Sequence, residues 1–173
     1  ELVDTTVEAK RFPTETSKSS DDDDKVVAIG REVTYTITST VPYINPLELD
    51  EAEYTFTDKL SGADYVLNAE GKVEVKVTTT GGFDKTYEVT PTPGSEEDEG
   101  KSILNIPLTE ILAGNEYAND TITITYKATV TDLIVNNEAS TGDGENESAF
   151  GGESEGLFTG TVTMTKYAED GET

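Results

Sequence analysis

The sequence contains no cysteine, no histidine and no tryptophan. Without cysteine the chain can form no disulfide bond, no thiol nucleophile and no thiolate metal site. Without histidine it lacks the commonest general base near neutral pH, which excludes catalytic triads of the usual kind. No paired-carboxylate motif replaces them, so a hydrolase is not indicated.

Positive charge is also scarce, because 12 Lys and Arg residues stand against 36 Asp and Glu residues, a net charge of −24. A chain of this charge repels phosphate groups, so we expect it to bind neither nucleic acid nor an anionic membrane surface. No run of about 18 apolar residues is present, so we expect no membrane insertion of this segment. An initiator Met and a signal peptide are missing as well, and we therefore expect a piece of a longer protein.

The clearest pattern lies in residues 121–141, TITITYKATVTDLIVNNEAST. Apolar and polar residues alternate through its first half, which is typical of a half-buried strand. After a break at Thr131 and Asp132 the alternation resumes, and Asn137 then occupies a position where an inward side chain belongs. A buried Asn without hydrogen-bond partners costs a few kcal/mol, so either a polar network satisfies it or a reaction consumes it.

Further short strands and turns fill the rest of the chain. Strands are predicted at residues 5–12, 26–41 (with a turn at Gly30), 53–60, 72–80, 85–90, 103–106 and 157–167. Polar loops are predicted at 14–25, 42–53, 91–100 and 142–156, and one or two helical turns at 107–113. This organisation predicts an all-β fold, an antiparallel Ig-like β-sandwich with a short helical turn.

Three polar residues share the parity of apolar neighbours in their strands. They are Lys10 with Phe12, Asp58 with Tyr54 and Phe56, and Asn137 with Val135 and Ala139. If these faces point inward, an amine, a carboxyl and an amide enter the same core. Burial favours the neutral forms of the first two groups.

A neutral Lys10 amine beside Asn137 can attack the side-chain carbonyl of that residue. A protonated Asp58 would donate a hydrogen bond to the carbonyl and shuttle protons to the departing ammonia. Fixed placement of the groups supplies about 7–11 kcal/mol of the barrier. The product is one Lys–Asn isopeptide bond, formed autocatalytically and once, so the chain is not an enzyme with turnover.

Each of these residues also has a purely structural interpretation. Lys10 can extend to solvent along its strand, Asp58 can cap a following turn, and Asn137 can satisfy loop backbone. The pattern of residues alone leaves both interpretations open.

Three segments, IGREVTYTITSTVPY, YTFTDKLSGADYV and ITITYKATVTD, resemble in order and spacing the isopeptide-forming domains of Gram-positive sortase-assembled pilin backbone subunits. Collagen-adhesin A-type modules of wall-anchored proteins share this pattern, which here covers about residues 3–139. The resemblance implies a Lys in the first strand, an acid near the TD-x-L step and an Asn near the end of the domain. These map onto Lys10, Asp58 and Asn137.

The resemblance also leaves alternatives for two of the three residues. The family often ends in Asn-Thr-Ala, and Asn137-Glu138-Ala139 has the same N-x-A spacing. Asn146 and Asn136 remain alternatives for the amide, and Glu110 is a weaker rival for the acid.

The resemblance implies a structural module of the bacterial cell surface, extracellular on the cell wall or pilus. Its expected partners are neighbouring pilin domains or subunits, and the alternative function is an adhesin domain that binds host matrix protein or glycan. It divides the chain into an isopeptide-forming domain at 1–156 and, at 157–173, a final strand or linker that leads into a following domain. No cofactor is expected, and no metal, because the acidic loops lack the spacing of a calcium-binding loop.

Overall fold

The computed structural model describes residues 17–21, 26–147 and 149–159, which form a two-sheet sandwich. The strands are β1 Ser17–Ser20, β2 Val26–Val27, β3 Glu32–Thr40, β4 Thr55–Ser61, β5 Ala63–Tyr65, β6 Val73–Thr79, β7 Asp84–Val89, β8 Thr92–Pro93, β9 Ser102–Pro107, β10 Thr121–Val130, β11 Ile134–Gly142 and β12 Gly151–Thr159. Two 3₁₀ segments cover Glu96–Asp98 and Thr109–Asn115. Among the described residues no helix has the length and apolar character needed to cross a membrane.

Sheet I has the strand order β1-β3-β10-β6-β7, and β5 also pairs with β10. Sheet II has the order β2-β12-β11-β4-β9-β8. Among the described strands all pairings are antiparallel except that of β2 with β12, which is parallel. The predicted all-β Ig-like sandwich is confirmed.

The core lies between the inner faces of the two sheets, as the alternation predicts. In β10 the buried side chains are Ile122, Ile124, Tyr126, Ala128 and Val130. In β11 Val135, Asn137 and Ala139 are buried, and the residues between them are exposed. Period-two alternation arises because successive side chains of a strand point to opposite faces of a sheet.

Two predicted elements are wrong. Residues 17–20 form β1 although they lie in the predicted loop 14–25, and residues 151–156 belong to β12 although they lie in the predicted loop 142–156. Both stretches are rich in Ser, Gly or Glu, and backbone pairing with a neighbouring strand overrides their weak β propensity. The predicted strand 5–12 lies outside the described residues, and β12 crosses the predicted domain boundary at 156.

Gly62 fixes the turn between β10 and β11 against the junction of β4 and β5. Its carbonyl oxygen accepts hydrogen bonds from the backbone nitrogens of Thr131 and Asp132, both at 3.0 Å. Its φ of +75° favours glycine, and a Cβ at this position would lie 2.0 Å from the carbonyl oxygen of Ile134. This close approach anchors the start of β11, the strand that carries Asn137.

Candidate functional site

Asp58 and Asn137 meet on the inner face of sheet II. In the pairing of β4 with β11, Asp58 lies opposite Ala139 and Asn137 lies opposite Leu60. The two polar residues are therefore diagonal neighbours on one face, a separation that side chains can bridge. Both are completely buried.

Lys18 faces them from sheet I. It pairs with Ile37 of β3, which is a buried core residue, so its side chain points into the sandwich. The side chain is fully buried, and Nζ donates hydrogen bonds to Asp58 Oδ1 at 2.9 Å and to Tyr126 Oη at 3.2 Å. Nζ also lies 5.2 Å from the ring centre of Tyr35, within cation–π range.

Two tyrosine hydroxyls complete the surroundings of the Asp58 carboxylate. Tyr126 donates to Oδ1, the oxygen that Lys18 also contacts, and Tyr65 donates to Oδ2 at 2.6 Å. Burial, followed by the negative charge of Asp58, raises the pKa of Tyr126 and the pKa of Tyr65 far above the ordinary tyrosine value. Both hydroxyls therefore keep their protons at neutral pH and act as donors.

The amide of Asn137 is satisfied on one side only. Its Nδ2 donates to Tyr126 Oη at 2.9 Å. Its Oδ1 is buried and has no hydrogen-bond partner among the described residues. Leaving a buried acceptor unpaired costs about 1–3 kcal/mol, so a site of this kind calls for an explanation.

The arrangement joins a nucleophile, an acid and an electrophile in a space without water access. The 2.9 Å hydrogen bond between Lys18 and Asp58 is a direct path for a proton from Nζ to the carboxylate. Transfer of this proton would leave Lys18 with a neutral amine, which shares Tyr126 Oη as a hydrogen-bond partner with the Asn137 amide nitrogen.

Sequence reasoning predicted Lys10, Asp58 and Asn137 as the residues of a buried reactive site. Asp58 and Asn137 are both in the cluster, but Lys10 lies outside the described residues, and the lysine that the structure places there is Lys18. The predicted hydrogen bond from Asp58 to the Asn137 carbonyl is not formed among the described residues; the Tyr126 hydroxyl instead donates to Asp58 and accepts from Asn137 Nδ2.

Lys18 was missed because its neighbours are serines. The segment Ser17–Ser20 contains no apolar residue, so no alternation marks an inward face. The buried position follows only from its pairing with β3, which sequence periodicity does not reveal.

The alternative residues lie elsewhere in the described structure. Asn136 and Asn146 are exposed, the first on the outer face of β11 and the second in the turn that follows β11. Glu110 is also at the surface, where it forms an ion pair with Lys85 at 2.6 Å. None of the three contacts the buried cluster through a described hydrogen bond.

The described residues contain no group of three or more His, Cys, Asp or Glu side chains that could hold a metal ion. The charged centre of the buried site consists of one amine and one carboxylate. The polar side chains of the buried cluster are Lys18, Asp58, Asn137 and the two tyrosines, Tyr65 and Tyr126.

No protein-family model matches the chain, and no curated protein matches it. Solved structures do. The N-terminal domain of the Streptococcus gordonii adhesin Sgo0707 is 18% identical with a TM-score of 0.55, over 87% of this chain and 33% of that one. The Corynebacterium diphtheriae major pilin SpaA is 16% identical with a TM-score of 0.52, over 84% of this chain and 37% of that one.

These similarities show that the chain has the sandwich fold found in domains of Gram-positive pilins and adhesins. The chain spans about a third of the length of each of these structures. At this level of identity the likeness concerns the fold, and the function has to be argued from the buried site.

Proposed function

We propose that this chain is a structural module of a bacterial cell-surface protein, a pilin or a wall-anchored protein, and that an autocatalytic isopeptide bond between Lys18 and Asn137 stabilises it. One observation carries the proposal. The reacting nitrogen of Lys18 and the leaving nitrogen of Asn137 are hydrogen-bonded to the same Tyr126 oxygen, beside the Asp58 carboxylate and out of contact with solvent.

The reaction exchanges one amide nitrogen for another. Lys18 first gives a proton to Asp58, and its neutral Nζ then attacks Cγ of Asn137. A new C–N bond forms, the tetrahedral centre collapses, and the bond from Cγ to Nδ2 breaks with the electron pair on nitrogen. One proton from the acid and the two already present make that nitrogen ammonia, and the surplus proton on Nζ returns to Asp58.

The geometry supplies what this reaction needs. Packing of the two sheets holds the nucleophile and the electrophile together. The reaction therefore avoids the loss of translational and rotational entropy that separate reactants would have. Exclusion of water strengthens the interaction between Asp58 and the charges that develop. Negative charge develops on Asn137 Oδ1, which has no hydrogen-bond partner among the described residues, so a hydrogen of the buried cluster has to turn towards this oxygen in the tetrahedral state.

Intact mass measurement tests the proposal, because the mature protein should weigh one ammonia less than its sequence. Trypsin cannot cut at a linked lysine. A link through Lys18 therefore joins peptide 12–25 to peptide 128–166, whereas a link through Lys10 joins peptide 1–11 to peptide 128–166. Fragmentation then distinguishes Asn137 from Asn136 and Asn146, which share that second peptide.

Matched variants separate the two lysines. Lys18→Ala and Asn137→Ala should each have the full unmodified mass, whereas Lys10→Ala should still lose ammonia. Asn137→Ala leaves the Lys18–Asp58 pair intact and therefore serves as the variant that is least disruptive to folding. A wild-type protein with the unmodified mass would refute the proposed bond altogether.

The assignment to the cell surface is supported by the pilin and adhesin domains that share the fold, one of which is described as having stabilizing isopeptide bonds. On this proposal the partners of the module are neighbouring domains or subunits of the same surface assembly. Binding of host matrix protein or glycan remains the alternative prediction. Saturable binding of the isolated chain to a matrix or glycan array would favour it.

A further inference from the structure

The Tyr126 hydroxyl is the centre of the buried cluster. It accepts a hydrogen bond from Lys18 Nζ at 3.2 Å and one from Asn137 Nδ2 at 2.9 Å, and it donates to Asp58 Oδ1. It is thus in contact with the nucleophile, the leaving group and the acid. No other described side chain has hydrogen bonds to all three.

We propose that Tyr126 is a catalytic residue of the isopeptide reaction, and that its hydroxyl relays the proton from Asp58 to the departing nitrogen of Asn137. This inference rests on the proposed function, because it describes how the same bond forms. On this proposal Asp58 does not protonate the leaving nitrogen directly, because the Tyr126 hydroxyl delivers the proton.

The relay follows from the hydrogen-bond partners of the two Asp58 oxygens. Oδ1 contacts Lys18 and Tyr126, and Oδ2 contacts Tyr65, so neither oxygen is hydrogen-bonded to Asn137 in the described structure. The hydrogen bonds of the described residues connect the acid to the leaving nitrogen through Tyr126 Oη. A proton transfer needs hydrogen-bond contact, and this chain of two hydrogen bonds provides it.

The protons and electrons balance at each step. Lys18 gives a proton to Asp58 Oδ1, and the neutral amine adds to Cγ of Asn137. The protonated Asp58 then donates to Tyr126 Oη while the phenolic hydrogen turns towards Nδ2, whose electron pair becomes available at the tetrahedral centre. Nδ2 takes the phenolic proton and leaves as ammonia, Oη takes the carboxyl proton, and the second proton on Nζ returns to Asp58.

The surroundings of Tyr126 hold the hydroxyl in place and keep it protonated. Its ring stacks on Tyr35 with centroids 5.8 Å apart and tilts against Phe56 at 6.2 Å. Burial raises its pKa, so the phenol does not ionise at neutral pH. Because the ring contributes the packing, Tyr126→Phe removes the relay atom and retains the aromatic contacts.

The test compares the rate of crosslinking in three variants of the full chain. Protein is pulse-labelled in cell-free synthesis, and ammonia loss is followed by intact mass. We expect Tyr126→Phe to crosslink about a hundredfold more slowly than wild type, the lower end of the range for general acid–base catalysis. Tyr65→Phe, which removes a hydrogen bond to Asp58 but does not contact Asn137, should slow the reaction much less.

Tyr54→Phe is the matched control. Tyr54 is also a fully buried tyrosine, and its hydroxyl has no partner among the described residues. The control should crosslink at the wild-type rate. Circular dichroism of each variant shows whether it has folded.

Fluorotyrosine gives a readout that a purely structural role would not change. Fluorine makes the phenol more acidic with little change of shape, so its incorporation at position 126 should alter the crosslinking rate and its incorporation at position 54 should not. Equal rates at both positions, or equal slowing by Tyr126→Phe and Tyr65→Phe, would overturn the relay. A wild-type chain that never loses ammonia would instead refute the bond itself.

Discussion

Lys18 and Asn137 belong to opposite sheets of the sandwich, yet both donate a hydrogen bond to the same hydroxyl oxygen, that of Tyr126. Lys18 reaches this point from β1 in sheet I and Asn137 from β11 in sheet II. A covalent bond between them would therefore tie the two layers together across the core. Four predictions about this site and the fold around it can be measured.

Asp58 should be necessary for the bond but not for the fold. We expect Asp58→Asn and Asp58→Ala to fold and to retain the unmodified mass after prolonged incubation, because the proton acceptor for Lys18 is gone. Losing the counter-charge of a buried lysine should also lower the free energy of unfolding by about 3–5 kcal/mol. Intact mass and circular dichroism check both points, and complete crosslinking of either variant would assign the acid to another residue.

The bond should contribute strongly to thermodynamic stability. It closes a loop of 119 residues, from position 18 to position 137. By the loop-entropy argument used for disulfides, this lowers the entropy of the unfolded chain by an amount equivalent to about 5 kcal/mol. We expect Asn137→Ala to unfold at a much lower urea concentration than wild type, whereas Asn136→Ala, which changes an exposed residue of the same strand, should unfold like wild type. Similar midpoints for all three proteins would contradict this prediction.

Mechanical unfolding should show the same loop. The first described strand begins near the Thr38 end of β3, and β12 ends beside Ile134, so the described chain enters and leaves at opposite ends of the sandwich. When the wild type is pulled from its termini, the segment between positions 18 and 137 should not extend. Lys18→Ala should release that segment, roughly 400 Å of additional chain. Single-molecule force spectroscopy measures the difference, and equal extension of both proteins would exclude a link that bears load.

Alkaline pH should destabilise the fold through its buried tyrosines. Burial raises the pKa values of Tyr54, Tyr65 and Tyr126 above their ordinary value. Between the unfolded and folded pKa values the native state binds more protons than the unfolded state, so the free energy of unfolding falls as pH rises above about 10. Tyrosinate absorbance from these residues should therefore appear together with the loss of native circular dichroism. Their ionisation in a protein that stays native would contradict the prediction.

Period-two alternation was sufficient to predict β10 and β11, and with them the inward position of Asn137. The same rule placed Asp58 on the inner face of the sheet, because Tyr54 and Phe56 mark that face. These predictions succeeded because apolar neighbours in a strand record which side is buried.

The buried position of Lys18 and the hydrogen bonds of the Tyr126 hydroxyl could not be predicted in this way. Lys18 has only serines beside it in β1, and its inward direction depends on its pairing with Ile37, far away in sequence. The alternation in residues 121–130 places the Tyr126 ring in the core, but the hydroxyl meets its hydrogen-bond partners only when β1, β4 and β11 surround it. Long-range contacts of this kind leave no local pattern.

The proposed bond can form only in the correct register of β4 and β11, which the turn at Gly62 anchors. A shift of one residue would turn Asn137 to the outer face and away from Lys18. Such a molecule would not release the Asn137 side-chain nitrogen as ammonia. A molecule whose sheets had not come together would not release it either. With the proposed bond, the mass of each molecule is a permanent record of whether that molecule ever reached its native packing, and later denaturation does not erase it.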